Sequence, residues 1–230
     1  EDNRDLLARY EDELAGFDRP NSWDANYWSP IVLAEHQHLR TSGGIIGDIG
    51  FSVFDVVGED ATEALDRLTV GRMDVDVGRT VYTPMLDSAA GFRADVTVAR
   101  MARDRYRILT GGASGGPTWQ WVSRHLPADA DARLLDRSDA FSTIGVWGPE
   151  ARAVLSEVVQ EDLSNGAFPP YTAGAVTIGA VEAWAVRLSF AGELGWELYV
   201  PAQQSRRAWH LVTEAGAAHD VRPIGTAVYA

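Results

Sequence analysis

Two residue types are missing from the 230-residue sequence: it has no cysteine and no lysine, so all 20 of its basic residues are arginine. Without cysteine there is no disulfide, thiolate nucleophile, zinc–thiolate site or cysteine-ligated cluster. Without lysine there is no Schiff-base amine, which excludes lysine-anchored pyridoxal phosphate chemistry and the phosphate grip of a P-loop. Long apolar runs are also missing, and nothing approaches the roughly 18 apolar residues of a membrane-spanning helix. The opening stretch EDNRDLLARYEDELAG is acidic and has no apolar signal-peptide core, so a cytoplasmic chain is expected. Positive charge is scarce. The net charge of −13 disfavours nucleic acid and anionic membrane as partners.

What is present is ordinary for a globular chain, with 46% hydrophobic and 23% charged residues. The length allows one large domain or two small ones with a real core. Residues 1–16 carry Leu6, Leu7, Tyr10 and Leu14 at helical spacing. A Pro- and aromatic-rich connector follows, with Phe17, Trp23, Tyr27 and Trp28. Residues 30–41 predict a helix with Pro30 in its first turn and Gly43-Gly44 after its end. Strands are expected near Ile45–Ile49 and Phe51–Val57, then a short helix in GEDATEALDRL. Thr80–Leu86, Ala94–Arg100 and Tyr106–Thr110 predict a β-rich middle, and ARDR marks a hairpin. After the glycine-rich GGASGGP comes a helix over Thr118–Leu126, then strands at Ala132–Asp136 and Ser142–Trp147 and a helix at Glu150–Val159. Val176–Ile178, Val181–Ser189 and Trp196–Val200 complete the strands, before a last helix over Ala202–Gly216. Strands and helices do not alternate strictly, which points to an α+β fold.

Most candidate motifs carry little. Gly43–Gly50 lacks the order of a dinucleotide-binding turn. Gly111–Gly116 follows a strand and precedes a helix, so it reads either as an anion cradle or as a loop lining a cavity. His36 and His38 are two apart and cannot share a helix face, and His125 and His210 have no neighbouring ligand, so no metal site is expected. No recognisable serine triad appears.

The carboxylates are more informative. Asp95 lies among strand formers in GFRADVTVAR, and Glu197 sits between Trp196 and Leu198 in an otherwise apolar run. An acid in such a place needs a partner. Two strand carboxylates beside aromatics suit a flat heterocycle such as a pterin, whose amino and lactam N–H edge matches a carboxylate.

Several motifs occur in one order. Ser189, Gly192, Glu193, Gly195, Trp196, Glu197, Leu198 and Tyr199 fit S-Y-x-G-E-x-G-W-E-L-Y. Gly78, Tyr82, Thr83, Met85, Leu86, Gly91 and Asp95 fit a G-x-x-x-Y-T-x-M-L segment followed by Gly and Asp. Gly148-Pro149 with Ala151, and Gly58–Ala61, add two turns. In these the chain resembles the aminomethyltransferase (glycine-cleavage T-protein) superfamily, above all the folate domain of dimethylglycine and sarcosine dehydrogenases and oxidases.

The resemblance implies an α+β, T-protein-like folate-binding fold of two interleaved subdomains, without the family's C-terminal barrel. Residues 1–29 would form a helix and connector, residues 30–230 the folate module, and about 53–139 an inserted subdomain. It implies tetrahydrofolate-dependent one-carbon transfer from a small N-methyl or aminomethyl donor, with FAD only on a partner flavoprotein domain or subunit. The alternative is a non-catalytic subunit or scaffold of a flavin-dependent demethylase complex. Asp95 would be catalytic and, with Tyr82, Phe190, Glu197, Glu193 and Arg187, would bind the cofactor. Phe190 stands where the motif has tyrosine, keeping the ring without the hydroxyl. Arg187 would pair with a nearby carboxylate.

Overall fold

The computed structural model describes Tyr10, residues 29–190 and residues 192–228. The helix expected over residues 1–16 and the aromatics of the connector lie outside these, Tyr10 excepted.

Two sheets carry the fold. The first has six strands in the order β11-β1-β7-β10-β9-β8, and the second has five in the order β3-β4-β5-β2-β6. The first is built from β1 (Gly44–Gly47), β7 (Phe141–Trp147), β8 (Ala173–Ile178), β9 (Val181–Val186), β10 (Gly195–Pro201) and β11 (Arg222–Pro223). The second is built from β2 (Phe51–Val57), β3 (Thr80–Leu86), β4 (Phe92–Ala102), β5 (Arg105–Gly111) and β6 (Arg133–Asp136). Every strand of the second sheet therefore falls between β1 and β7 of the first.

Strand alternation sends one face of each sheet to helices and the other to the opposite sheet. On β10, Trp196, Leu198 and Val200 pack with Val154 and Leu155 of α4 (Ala151–Val158) and with Ala208 and Val212 of α5 (Ser205–Ala218). Each such buried large side chain contributes roughly 1.5–3 kcal/mol. The alternate residue Tyr199 joins Val53, Leu109, Trp184 and Val186 between the sheets. On the second sheet, Phe54, Val56, Val96, Val98 and Ile108 face Leu65 of α2 (Ala61–Asp66) and Val122 of α3 (Gly112–His125). The layers run helices, sheet, sheet, helices.

The first described helix, α1 (Pro30–Thr41), begins where Ser29 Oγ accepts a bond from the Val32 amide at 3.4 Å and Pro30 occupies the first turn. It spans the expected residues and packs Leu39 against Ile46, Trp147 and Ile224.

One expectation needs correction. The stretch Gly112–Gly116 is not a loop but the first part of α3, and Pro117 lies inside that helix. Close packing is the reason. A Cβ on Gly112 would come within 2.3 Å of the Gly50 carbonyl, and one on Gly115 within 2.0 Å of Ser52 Oγ. Glycine is a poor helix former, but here its missing side chain lets α3 lie directly on β2.

Candidate functional site

The two sheets part at one end to leave a cavity of about 810 Å³. That lies within the range of small-molecule sites. Tyr82, Asp95 and Thr97 enter it from β3 and β4, Glu197 from β10, and Leu188 to Phe190 from the segment after β9.

Tyr82 and Asp95 come together through strand register. Tyr82 lies opposite Thr97, and Pro84 lies opposite Asp95, so the two side chains are diagonal neighbours on one face. The Tyr82 hydroxyl donates to Asp95 Oδ2 at 2.7 Å, and this bond holds the phenol proton above the ordinary tyrosine range. Asp95 Oδ1 has no hydrogen-bond partner among the described residues. The Thr110 hydroxyl donates to the Asp95 carbonyl at 3.3 Å, tying β4 to β5 at this point.

Glu197 is 1% exposed. Its strand neighbours at that level, Gly145 and Val186, offer no charge. Its partner is on its own strand: the Tyr199 hydroxyl donates to Oε2 at 2.9 Å. Burial pushes the carboxyl up to about 7, against the opposing pull of the Tyr199 bond. Tyr199 itself is pushed well above 10, first by burial and then by the Glu197 charge and hydrogen bond.

Three large aromatics stand at the rim: Tyr82 is 63% exposed, Tyr171 53% and Phe190 61%. Aromatics this exposed around one concavity turn ring faces to solvent and are not part of the core. Tyr171 follows two prolines and has φ of +57°, an uncommon backbone for a bulky residue.

Glu193 and Arg187 are placed differently. Glu193 is absent from the cavity wall and pairs at 3.2 Å with Arg40, near the end of α1. The turn beside it depends on Gly192, with φ of +81°. Arg187 does not form the expected carboxylate pair: it donates to the Phe168 carbonyl at 2.6 Å and lies 5.3 Å over the Trp196 ring. Burial and the nearby Arg152 cation lower its affinity for its proton. The strand leaves Arg187 facing the first sheet's own core, where a backbone carbonyl was the acceptor within reach.

Sequence reading missed Tyr171 and Tyr199. Tyr199 was legible in principle, because two residues along a strand share a face. Tyr171 carries no such signal beyond the prolines before it. Also missed was a buried ion cluster behind the cavity. Asp55 of β2 accepts from Arg107 Nε at 2.8 Å and Nη2 at 3.2 Å, and from Arg105 at 2.5 Å. Arg107 lies over Phe141 at 4.6 Å and Trp184 at 5.0 Å. The two guanidinium groups hold the Asp55 carboxyl below its ordinary value of 3.8, outweighing burial.

The class this defines is an α+β protein with two face-to-face sheets and an acidic, aromatic-rimmed cavity between them. The family model described as the GCVT N-terminal domain matches residues 5–229, and the chain belongs to that family. It is 36% identical over 183 residues to human mitochondrial sarcosine dehydrogenase, covering 74% of this chain and 20% of that protein. It is 35% identical over 202 residues to 4-methylaminobutanoate oxidase (formaldehyde-forming) of Paenarthrobacter nicotinovorans, covering 87% of this chain and 23% of that one. The chain thus spans about a fifth to a quarter of these relatives' lengths. Among solved structures, the glycine cleavage system aminomethyltransferase T of Bartonella henselae superposes with a TM-score of 0.74 at 20% identity, over 86% of this chain and 52% of that one. At that identity the match bears on the fold alone, and the α+β, T-protein-like fold is the one observed. No described helix is long and apolar enough to cross a membrane.

Proposed function

We propose that the chain binds the pterin head of tetrahydrofolate in the cavity between its sheets and serves one-carbon transfer, with the carbon coming from an N-methyl or aminomethyl donor. The observation that carries this reading is the convergence of Glu197 and the Tyr82–Asp95 pair, from different sheets, on one aromatic-rimmed cavity. Names among the relatives, such as sarcosine dehydrogenase and a formaldehyde-forming methylaminobutanoate oxidase, agree with a methylamine-derived carbon. A flavoprotein partner domain or subunit fits the same picture, since one matched structure is a heterotetrameric sarcosine oxidase.

The residues fit the head of the cofactor. Glu197 offers a buried acceptor for an N–H edge, and Tyr82, Tyr171 and Phe190 offer ring faces. No Arg or His lines the cavity among the described residues, so the fit does not extend to the anionic tail. When bound, tetrahydrofolate supplies the nitrogen that accepts the carbon. Glu197 holds the heterocycle by accepting its N–H groups. Asp95, its Oδ2 fixed by Tyr82, has Oδ1 left to take or return a proton near the reacting nitrogen. Leu109, Leu188 and Val96 line the walls and exclude water.

Calorimetric titration with tetrahydrofolate tests this. The parent should bind. Glu197→Ala should weaken binding by roughly 10- to 150-fold, the loss of hydrogen bonding to a charged group. Asp95→Ala should bind within a few-fold of the parent yet lose about 10²–10⁴ in carbon transfer from formaldehyde or an N-methyl donor. A parent that does not bind sinks the reading. Intact binding with no transfer from any donor favours the non-catalytic subunit. One relative points that way, a mouse pyruvate dehydrogenase phosphatase regulatory subunit 26% identical over 226 residues.

A further inference from the structure

Among the described residues, Glu197 is the only acid lining the cavity that is buried, and it has no cation beside it. β7 and β9 present Gly145 and Val186 beside it. Of the segment after β9, Glu193 is turned to Arg40 and Arg187 to the Phe168 carbonyl. From the second sheet, Asp95 is engaged with Tyr82, and Arg107 and Arg105 with Asp55. The helices on the far side bring Arg152, which lies 5.6 Å over the Trp196 ring on the opposite face of β10. What remains is the Tyr199 hydroxyl on Oε2.

We propose that Tyr199 is a positioning residue for Glu197: its hydroxyl occupies Oε2, leaves Oε1 for the ligand, and thereby decides which protonation form of the carboxyl a ligand meets. The ring that carries this hydroxyl is held firmly. Tyr199 is fully buried and packs against Trp184, with centroids 5.4 Å apart and the rings tilted by 52°, and Trp184 is in turn covered by Arg107. Oε1 has no hydrogen-bond partner among the described residues. The phenol keeps its proton, because burial and the carboxyl both raise it, so toward ionised Glu197 it is the donor. With the carboxyl near 7, both forms of Glu197 are populated at neutral pH. A ligand edge made of N–H donors selects the ionised form and expels its proton to solvent. An edge that offers an acceptor selects the neutral form. Tyr199 sets the balance by favouring the ionised one. That the ligand in question is a pterin rests on the function proposed above, whereas the role of Tyr199 does not.

The decisive measurement needs no ligand. Glutamate carboxyl ¹³C signals are followed through a pH titration, and Glu197→Gln identifies the signal of Glu197 by its disappearance. Tyr199→Phe keeps the ring against Trp184 and removes only the hydroxyl. Its Glu197 midpoint should rise by about one pH unit, the effect of losing one hydrogen bond to a charged group. If Tyr199→Phe does not fold, the parent grown with 3-fluorotyrosine serves instead. The more acidic phenol donates more strongly, and the midpoint should fall. A midpoint unmoved in whichever of these proteins folds overturns the proposal. With tetrahydrofolate, Tyr199→Phe should lose roughly fivefold in affinity at pH 7 and much less at pH 9, where Glu197 is ionised in both proteins. Failure of the parent to bind tetrahydrofolate would overturn the folate reading, and the titration would still decide for or against Tyr199.

Discussion

At the scale of single residues, Glu197 shows a conflict between stability and its proposed role. Its carboxyl rises from 4.5 to about 7 on folding, so the folded state binds a proton that the unfolded chain has released over that interval. Stability is therefore highest below pH 4.5 on this account, falls as pH rises to about 7, and is flat beyond. Across the interval the loss amounts to roughly 3 kcal/mol. Glu197→Gln removes it while keeping an oxygen for the Tyr199 hydroxyl. Chemical denaturation should find the variant more stable than the parent at pH 8, by up to about 3 kcal/mol, and nearly equal to it at pH 4. A variant no more stable at pH 8 would show that Glu197 is not held in an unfavourable state. Glu197 itself was legible from its apolar neighbours, since a carboxylate between Trp196 and Leu198 must be accounted for. Tyr199 was not singled out, because a tyrosine in a strand is unremarkable until a partner appears on the same face.

At the scale of elements, the strands and most helices follow from local pattern. Thr80–Leu86 and Pro30–Thr41 begin and end where alternation and capping place them. α3 departs from this. Its first residues are glycines and a proline, which read locally as a loop, and the contact with β2 makes them helical. Gly115→Ala gains intrinsic helix propensity of up to about 1 kcal/mol. It also places a Cβ 2.0 Å from Ser52 Oγ, a distance that forces displacement. Overpacking wins, and urea unfolding should show a net loss of about 1–3 kcal/mol. An unchanged or increased midpoint would mean that α3 and β2 are not packed as described. Because Gly111, just before α3, and Ser114, in its first turn, line the cavity, ligand affinity should fall with stability.

At the scale of the whole molecule, the question is what joins two sheets around a cavity that neither could enclose. The joint is apolar at Val53, Leu109, Trp184 and Val186, and ionic at its core. Asp55 and Arg107, 0% and 3% exposed, lie on adjacent strands of the second sheet, and the Arg107 guanidinium stacks on Phe141 and Trp184 of the first. Replacing such a pair with apolar residues can be neutral, but removing one member strands the other. Asp55→Ala should therefore cost about 3–5 kcal/mol, read from thermal or denaturant unfolding. Arg107 left without its acceptor would also disturb Trp184 and, through it, Tyr199. In the parent the depressed Asp55 value stabilises the fold fully above the ordinary value of 3.8, and that contribution is lost as pH falls below it. A cost below 1 kcal/mol for Asp55→Ala would show that the apolar contacts alone hold the sheets together.

The chemistry this protein excludes was settled by composition, since cysteine and lysine reactions need those side chains wherever the chain folds. Its strands, its family resemblance and the two acids worth watching were likewise carried by local order, because alternation, turn residues and motifs act over a few positions. Tertiary structure decided the rest. It brought Tyr82, Asp95 and Glu197 to one cavity from strands of different sheets, and it turned Glu193 and Arg187 to other partners. It also made a helix of Gly112–Gly116 and paired Asp55 with Arg107 across 52 residues of sequence. The physical reason is common to all of these. A carboxylate's partner, its degree of burial and the room left for a side chain depend on atoms distant in sequence, and the local pattern contains no information about them.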